Sequence, residues 1–214
     1  MTALLKVALF GLGSMGYGMA KSVLRAGHTT FGLDVNPDAV ARFQAEGGVE
    51  AAVADIAGEL DAVVVVVLNA KQAETVLFGP DGIVPHLRQG AVVICCPTVQ
   101  PDFARAMESR CNAVGVHYLD APISGGAAKA AQGQLSIMAA GSPQAFEAAR
   151  PVLDACAATV FELGDVAGPG SAMKAVNQLL AGVHIAAMAE AVTFGMTQGI
   201  NPETLPVAAG IIGD

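Results

Sequence analysis

The first residues that suggest chemistry are the glycines of Gly11-Leu12-Gly13-Ser14-Met15-Gly16, which follow a short apolar run. Between a strand and a helix, the first glycine of this spacing makes a tight turn. The second brings the backbone close to a pyrophosphate, and the third packs the helix against the strand. The free N–H groups at the start of that helix then face the phosphates. The motif alone is weak evidence, because the chain contains 25 glycines.

An acidic residue strengthens this interpretation. Asp34 follows the next apolar run and lies 18 residues after Gly16. A carboxylate there accepts hydrogen bonds from the ribose hydroxyls of adenosine and repels a 2′-phosphate. Since no arginine follows directly, the sequence predicts bound NAD rather than NADP. The alternative is a structural glycine turn beside a solvated aspartate.

Two other strand ends are candidates for cofactor contact, because ligands of open α/β sheets lie at the carboxyl ends of the strands. They are Leu68-Asn69 and Cys96-Pro97-Thr98. From the residues alone, each is equally well an ordinary strand-to-helix turn.

A lysine and an asparagine occur at helical spacing in the C-terminal part of the chain. Lys174 and Asn177 are three residues apart, so both side chains project from one face of a helix. Partial desolvation in this apolar segment would lower the lysine pKa and let the amine exchange a proton with an alcohol. By sequence alone, a surface lysine with a buried stem is the better interpretation. Earlier in the chain, Ser124-Gly125-Gly126 offers a hydroxyl and bare N–H groups to a carboxylate.

Short apolar runs alternate with helical patterns over most of the chain. Strands are predicted at residues 5–10, 29–34, 51–53, 62–68, 91–95, 115–120, 135–140 and 159–162, and helices at 14–26, 37–46, 71–78, 101–112 and 143–156. Val63 to Val67 is a run without polar alternation, as expected of a central parallel strand. The pattern predicts an α/β fold of Rossmann type, with a doubly wound, mostly parallel sheet over residues 1–164.

The pattern changes after Gly164. Gly168-Pro169-Gly170 is a predicted turn, residues 171–198 form a long helix that is apolar on nearly all sides, and Asn201-Pro202-Glu203 is typical of a new helix start. Residues 165–214 are therefore expected to be the interdomain helix and the incomplete start of an all-α domain. Such a helix needs cover, either from a partner subunit in a homodimer or homotetramer or from further chain.

Composition excludes several classes of function. The net charge of −8 makes nucleic acid a poor partner. The polar residues of the long helix argue against a membrane span, and the four cysteines lack metal-ligand spacing. We therefore expect a cytoplasmic protein with reduced thiols and no metal cofactor.

With these residues in view, the chain resembles the β-hydroxyacid dehydrogenase family, which includes 3-hydroxyisobutyrate dehydrogenases. The resemblance runs from Lys6 to about Pro202 and rests on four motifs, Gly11–Gly16, Asp120-Ala121-Pro122-Ile123-Ser124-Gly125-Gly126, Gly168-Pro169-Gly170 and Lys174-Ala175-Val176-Asn177-Gln178. Residues 124–133 and 174–199 look most like the L-threonate dehydrogenase branch.

The resemblance implies a role for each motif. Lys174 matches the catalytic lysine, Asn177 a residue that orients substrate, and Ser124, Gly125 and Gly126 the loop that binds the substrate carboxylate. Leu68, Asn69 and Thr98 match cofactor contacts. The chain departs from the family at Pro97, where serine is usual, and it stops before the helical domain with which the family continues.

Two hypotheses follow. The first is an NAD-dependent dehydrogenase that oxidises a small hydroxy acid such as L-threonate or 3-hydroxyisobutyrate. The second is an NAD-binding module without turnover, because the substrate domain is missing.

Overall fold

The computed structural model describes residues 4–204, and the chain divides into two compact units, residues 1–174 and 175–214. The first unit contains a five-stranded sheet in the order β2-β1-β3-β4-β5, with every neighbouring pair parallel. The strands are β1 (Lys6–Phe10), β2 (Thr29–Leu33), β3 (Ala62–Val65), β4 (Val92–Cys95) and β5 (His117–Asp120). The α/β alternation read from the sequence is confirmed.

Helices connect these strands and cover both faces of the sheet. They are α1 (Gly16–Arg25), α2 (Pro37–Ala45), α3 (Val53–Ile56), α4 (Ala70–Phe78) and α5 (Pro101–Asn112), with short 3-10 turns at Ala57–Glu59 and Val84–His86. Two hydrophobic clusters lie on opposite faces, one containing Val64 and Leu9, the other Val63 and Val65. Successive valines of β3 therefore pack into different cores, which explains the run without polar alternation.

A second, three-stranded sheet completes this unit. Its strands are β6 (Ile123–Ser124), β7 (Leu135–Ala139) and β8 (Ala157–Glu162), with β6 antiparallel and β8 parallel to β7. Helix α6 (Gly126–Gln132) lies between β6 and β7, and α7 (Pro143–Cys156) precedes β8. An antiparallel bridge between Asp120 and Ala140 joins the two sheets.

The prediction of a strand at residues 51–53 was wrong. Val49 makes a single parallel bridge to Phe31, and the chain then turns into α3 at Val53. Alanines at 51 and 52 favour helix over strand, so the pairing does not extend beyond one residue. Strand β3 ends at Val65, whereas the sequence predicted a strand that continues to Leu68. Strand β6 and helix α6 were not predicted.

The long helix α8 spans Pro169–Thr197, close to the prediction of 171–198. By length and composition, α8 would be able to cross a membrane, as core helices of soluble proteins also would. Past it, the Asn201 side chain accepts a hydrogen bond from the Glu203 N–H at 2.9 Å, as in a helix cap. The helix expected after this cap lies outside the described residues.

Candidate functional site

The glycine loop after β1 has the geometry that its spacing predicts. Gly11 has φ +100°, and a Cβ there would lie 2.1 Å from the carbonyl oxygen of Val66. A Cβ on Gly16 would lie 1.8 Å from the Gly11 carbonyl oxygen. Both positions exclude any side chain, because backbone atoms occupy the space.

The middle of the loop is open. A Cβ on Gly13 would meet nothing within 4 Å, and Ser14 is exposed. Met15 is the N-cap of α1, and its side chain makes no capping hydrogen bond to the helix. A cleft of about 600 Å³ lies against Leu12, Gly13 and Ser14 and extends to α2 and α6. The Tyr17 N–H already donates to the Gly13 carbonyl oxygen at 2.9 Å, so the N–H groups available to a phosphate are those before it, from Gly13 to Gly16.

Asp34 lies directly after β2 and is tied to this loop. Its Oδ2 accepts a hydrogen bond from the Leu12 N–H at 2.5 Å, and its Oδ1 accepts one from the Asn36 N–H at 2.8 Å. A carboxylate has about four lone-pair positions, so capacity remains for two hydroxyl donors. The structure therefore brings Asp34 to the loop, and its predicted contact with the adenosine ribose stays a prediction.

Three further predicted contacts lie on the same edge of the parallel sheet. Leu68 follows β3 and is 87% exposed, and Thr98 follows β4 and is also exposed. Asn69 is the N-cap of α4, because its side chain accepts a hydrogen bond from the Gln72 N–H at 3.0 Å. Helix capping accounts for Asn69 by itself, whereas the exposed side chains of Leu68 and Thr98 remain open to a ligand.

Lys174 is buried, with 8% of its surface exposed. Its Nζ donates a hydrogen bond to the Ile123 carbonyl oxygen at 2.8 Å, which places the amine next to Ser124. Burial lowers the pKa of the amine, because removal from water disfavours the charged form. The surface lysine favoured by sequence alone is therefore not what the structure contains.

The Ser124-Gly125-Gly126 segment turns from β6 into α6. Gly125 has φ +136° and Gly126 has φ +79°, conformations that favour glycine. A Cβ on Gly126 would meet nothing within 4 Å, so this side of the turn is open. Asn177, the last predicted site residue, lies on α8 in the second unit and is half-buried.

A buried carboxylate at the end of β5, to which the sequence analysis gave no role, holds the start of α8. Asp120 is 1% exposed, and its two oxygens accept hydrogen bonds from the Gly168 N–H and from both the N–H and the hydroxyl of Ser171. Burial raises the pKa of this carboxyl, and the Ser171 and Gly168 donors oppose the shift. The sequence signal for this residue was an aspartate at the end of an apolar strand. Its partner Ser171 lies 51 residues later in the chain, so no local pattern connects the two.

These residues fit a dinucleotide. The loop has two glycine positions that admit no side chain and one that is open, it leads into a helix start without a side-chain cap, and it is hydrogen-bonded to the acid that follows β2. Together these are the features that a bound pyrophosphate and an adenosine ribose require.

Among residues 4–204, no group of three or more His, Cys, Asp or Glu side chains lies close enough together to hold a metal ion. All four cysteines are buried and free. Burial raises the pKa of Cys95 to about 12, so its thiol is a core group rather than a nucleophile.

Two family models match the chain. Residues 6–164 match the NAD-binding domain of 6-phosphogluconate dehydrogenase, and residues 168–208 match the NAD-binding domain of NADP-dependent 3-hydroxyisobutyrate dehydrogenase. These matches confirm the prediction that NAD is the cofactor.

Curated relatives share much of the sequence. The chain is 50% identical over 196 residues to an L-threonate dehydrogenase of Haemophilus influenzae, covering 91% of this chain and 65% of that protein. It is 36% identical over 200 residues to a 3-hydroxyisobutyrate dehydrogenase of Pseudomonas aeruginosa, covering 93% and 67%. The chain thus spans about two thirds of the length of these relatives.

Solved structures agree with this assignment. A 3-hydroxyisobutyrate dehydrogenase from Salmonella typhimurium superposes with a TM-score of 0.85 at 45% identity, over 92% of this chain and 69% of that one. The Mycobacterium tuberculosis 3-hydroxyisobutyrate dehydrogenase, solved with L-serine, gives 0.86 at 29% identity, over 99% and 72%. On these matches, the chain belongs to the β-hydroxyacid dehydrogenase family, among the relatives of the L-threonate and 3-hydroxyisobutyrate dehydrogenases.

Proposed function

We propose that this chain carries the cofactor site and the proton-transfer lysine of an NAD-dependent dehydrogenase that oxidises a small hydroxy acid. The observation that carries the proposal is the hydrogen bond from Lys174 Nζ to the Ile123 carbonyl at 2.8 Å. It holds a buried amine beside the open Ser124-Gly125-Gly126 turn. The identity of the relatives makes L-threonate and 3-hydroxyisobutyrate the first substrates to test.

The cofactor is assigned to the carboxyl edge of the five-stranded sheet. Gly11 to Gly16 hold the pyrophosphate, Asp34 receives the ribose hydroxyls, and Leu68, Asn69 and Thr98 line the path towards the nicotinamide. When bound, the nicotinamide ring supplies the hydride acceptor. The carboxylate of Asp34 repels a 2′-phosphate, which supports a preference for NAD over NADP.

Lys174 acts as the general base in the direction of oxidation. Its lowered pKa increases the fraction of free amine, which takes the proton from the substrate hydroxyl and returns it in the reverse direction. The Ser124 hydroxyl and the N–H groups of Gly125 and Gly126 bind the substrate carboxylate. Asn177, three residues after Lys174 on α8, orients the substrate hydroxyl.

The test is an absorbance assay for NADH with a panel of hydroxy acids that contains L-threonate and 3-hydroxyisobutyrate. Lys174→Ala is expected to abolish turnover while NAD affinity stays close to that of the unmodified chain. The matched control is Lys6→Ala. It removes an exposed lysine at the start of β1, at the amino-terminal end of the parallel strands and away from the proposed site. NAD binding without turnover on any acid would instead support a cofactor-binding module, and full activity of Lys174→Ala would remove the lysine from the mechanism.

The assembly that we propose is a cytoplasmic homodimer or homotetramer. Its support is α8, on which large apolar side chains such as Leu179, Ile185 and Phe194 are exposed in the single chain. Water contact with so many apolar groups is unfavourable, and a second subunit would remove it. Light scattering coupled to size exclusion tests the assembly, and a monomer at all concentrations would contradict it.

A further inference from the structure

The start of α8 is held by a buried carboxylate to which the proposed reaction gives no role. Asp120 Oδ1 accepts the Ser171 hydroxyl at 2.6 Å, while Oδ2 accepts the Ser171 N–H at 2.8 Å and the Gly168 N–H at 2.9 Å. With three internal donors and 1% exposure, this side chain is not free to meet a substrate. Its two oxygens instead bind the N–H and hydroxyl groups at the start of α8.

The turn before the helix is built for this contact. Gly168 has φ +118°, which favours glycine, and Pro169 occupies the first helical position. A Cβ on Gly170 would lie 2.6 Å from the carbonyl oxygens of both Asp120 and Met138, so only glycine lets the helix start approach the strand so closely. The motif Gly168-Pro169-Gly170 therefore brings the helix N-terminus onto the carboxylate.

A second carboxylate holds the same turn from another element. Both carboxylate oxygens of Glu108, on α5, accept a hydrogen bond from the Ala167 N–H at 3.1 Å. Negative charge near the first turn also stabilises the helix through its dipole. The start of α8 is thus fixed from β5 and from α5.

The same strand end also receives the lysine. Asp120 contacts Ser171, and Ile123, three residues after Asp120, accepts the hydrogen bond from Lys174, three residues after Ser171. The two short segments are therefore joined at both ends and form a closed ring. Without Asp120, the Glu108 contact at Ala167 is the one of these two carboxylate contacts that remains, and it lies before the helix, so the turn that carries Lys174 would be held less firmly.

We propose that Asp120 is a positioning residue for Lys174. Asp120 acts through Ser171, because its hydrogen bonds to Ser171 fix the first turn of α8. This inference rests on the proposed function for its catalytic consequence only. The Asp120 backbone is itself fixed, since it exchanges two hydrogen bonds of 2.9 Å with Ala140. Asp120 therefore fixes the Lys174 amine relative to the Asp120–Ala140 bridge that joins the two sheets.

The first experiment measures Lys174 directly and needs no turnover. The full chain is labelled with acetic anhydride over a range of pH, and mass spectrometry compares acetylation of Lys174 with that of the exposed Lys6. Asp120→Asn and Ser171→Ala are expected to increase Lys174 labelling at high pH, where the amine is deprotonated, and to move the labelling midpoint up towards that of an ordinary lysine. Ser171→Ala removes one of three hydrogen bonds and serves as the milder variant if Asp120→Asn does not fold.

The matched control is Ser142→Ala. The Ser142 side chain caps α7 by accepting a hydrogen bond from the Ala145 N–H at 3.2 Å, so its loss also removes a helix cap. Ser142→Ala is expected to lower thermal stability without changing the labelling midpoint of Lys174. If Asp120→Asn and Ser171→Ala behave like Ser142→Ala, Asp120 is only structural and the inference is wrong.

The second experiment uses the reaction. A misplaced base slows the chemical step by as much as about 100-fold, so Asp120→Asn is expected to lower kcat while NAD affinity stays unchanged. An unchanged kcat in a folded Asp120→Asn variant would overturn the inference. If the unmodified chain turns over no hydroxy acid, the proposed function fails, and the labelling experiment still decides the position of Lys174.

Discussion

The backbone N–H of Leu12 donates a hydrogen bond to Asp34 Oδ2 at 2.5 Å, so the acid at the end of β2 also fixes the glycine loop after β1. One side chain thus serves both the glycine loop and the ribose contact that we propose. Its removal should change the loop conformation and the proposed ribose contact together.

Asp34→Ala is therefore expected to weaken NAD binding by at least about tenfold, since a hydrogen bond involving a charged group contributes about 1.5–3 kcal/mol. The same change removes repulsion of a 2′-phosphate, so NADP affinity falls less or rises. Titration calorimetry with both dinucleotides measures the two affinities.

The control is Asp55→Ala, which removes an exposed carboxylate on α3 and leaves the loop untouched. Equal losses of NAD and NADP affinity in Asp34→Ala would show that the carboxylate does not discriminate between the two cofactors.

Contact between α1 and α6 depends on Gly18. A Cβ there would lie 2.6 Å from the Ala131 backbone nitrogen and 2.9 Å from the Ala130 carbonyl carbon, and backbone cannot move aside cheaply. The Ser22 hydroxyl and the Arg25 guanidinium also donate to carbonyls at the end of α6. Because α1 follows the glycine loop and α6 follows Ser124-Gly125, this contact holds the glycine loop beside the proposed substrate loop.

Gly18→Ala is expected to destabilise the chain by about 1–3 kcal/mol, the usual cost of overpacking, as measured by urea unfolding. Gly58→Ala is the matched control, because a Cβ there would meet only the His86 carbonyl oxygen at 3.9 Å. A Gly18→Ala variant as stable as Gly58→Ala would mean that the two helices separate without cost.

Short-range chemistry explains why the sequence predicted the cofactor loop. The roles of Gly11 and Gly16 depend on backbone within a few residues and on the adjoining strand, and glycine spacing records this directly. Helix bounds such as Pro101–Asn112 and Pro143–Cys156 follow from proline at the first helical position and were predicted without error.

Long-range contacts explain what the sequence did not predict. Strand β6 is two residues long and exists through its pairing with β7, which no local pattern records. Asp120 acts on Ser171 across 51 residues, and the burial of Lys174 depends on the same approach of α8 to β5. Apolar patterns indicate that a helix is covered but do not indicate which polar group meets its first turn.

Because Lys174 is buried, the free energy of unfolding should depend on pH. Burial lowers its pKa in the folded chain, whereas the unfolded chain keeps the ordinary lysine value of about 10.4. Between the lowered value and the ordinary one, the unfolded state binds more protons, so the free energy of unfolding rises with pH. Below the lowered value, the full cost of burying the ammonium is present.

Lys174→Met is expected to remove this rise, so that the variant gains most over the unmodified chain at low pH. Urea unfolding at a series of pH values measures the difference, with Lys6→Met as the exposed-lysine control. A difference between Lys174→Met and the unmodified chain that stays constant with pH would contradict the burial of a titrating amine.

The pH dependence of the proposed reaction follows from the same amine. Only the free amine accepts a proton, so kcat for hydroxy acid oxidation should rise with pH through the lowered pKa of Lys174 and then level off. In the reverse direction the protonated form is needed, and the rate should fall with pH over the same range. Lys174→Arg keeps a positive charge but does not deprotonate, because the arginine pKa is above about 12. It should therefore lose both the rate and the rising limb, whereas Lys6→Ala keeps them. A rising limb with the same midpoint in the residual activity of Lys174→Arg would assign the titration to another group and leave Lys174 without a part in proton transfer.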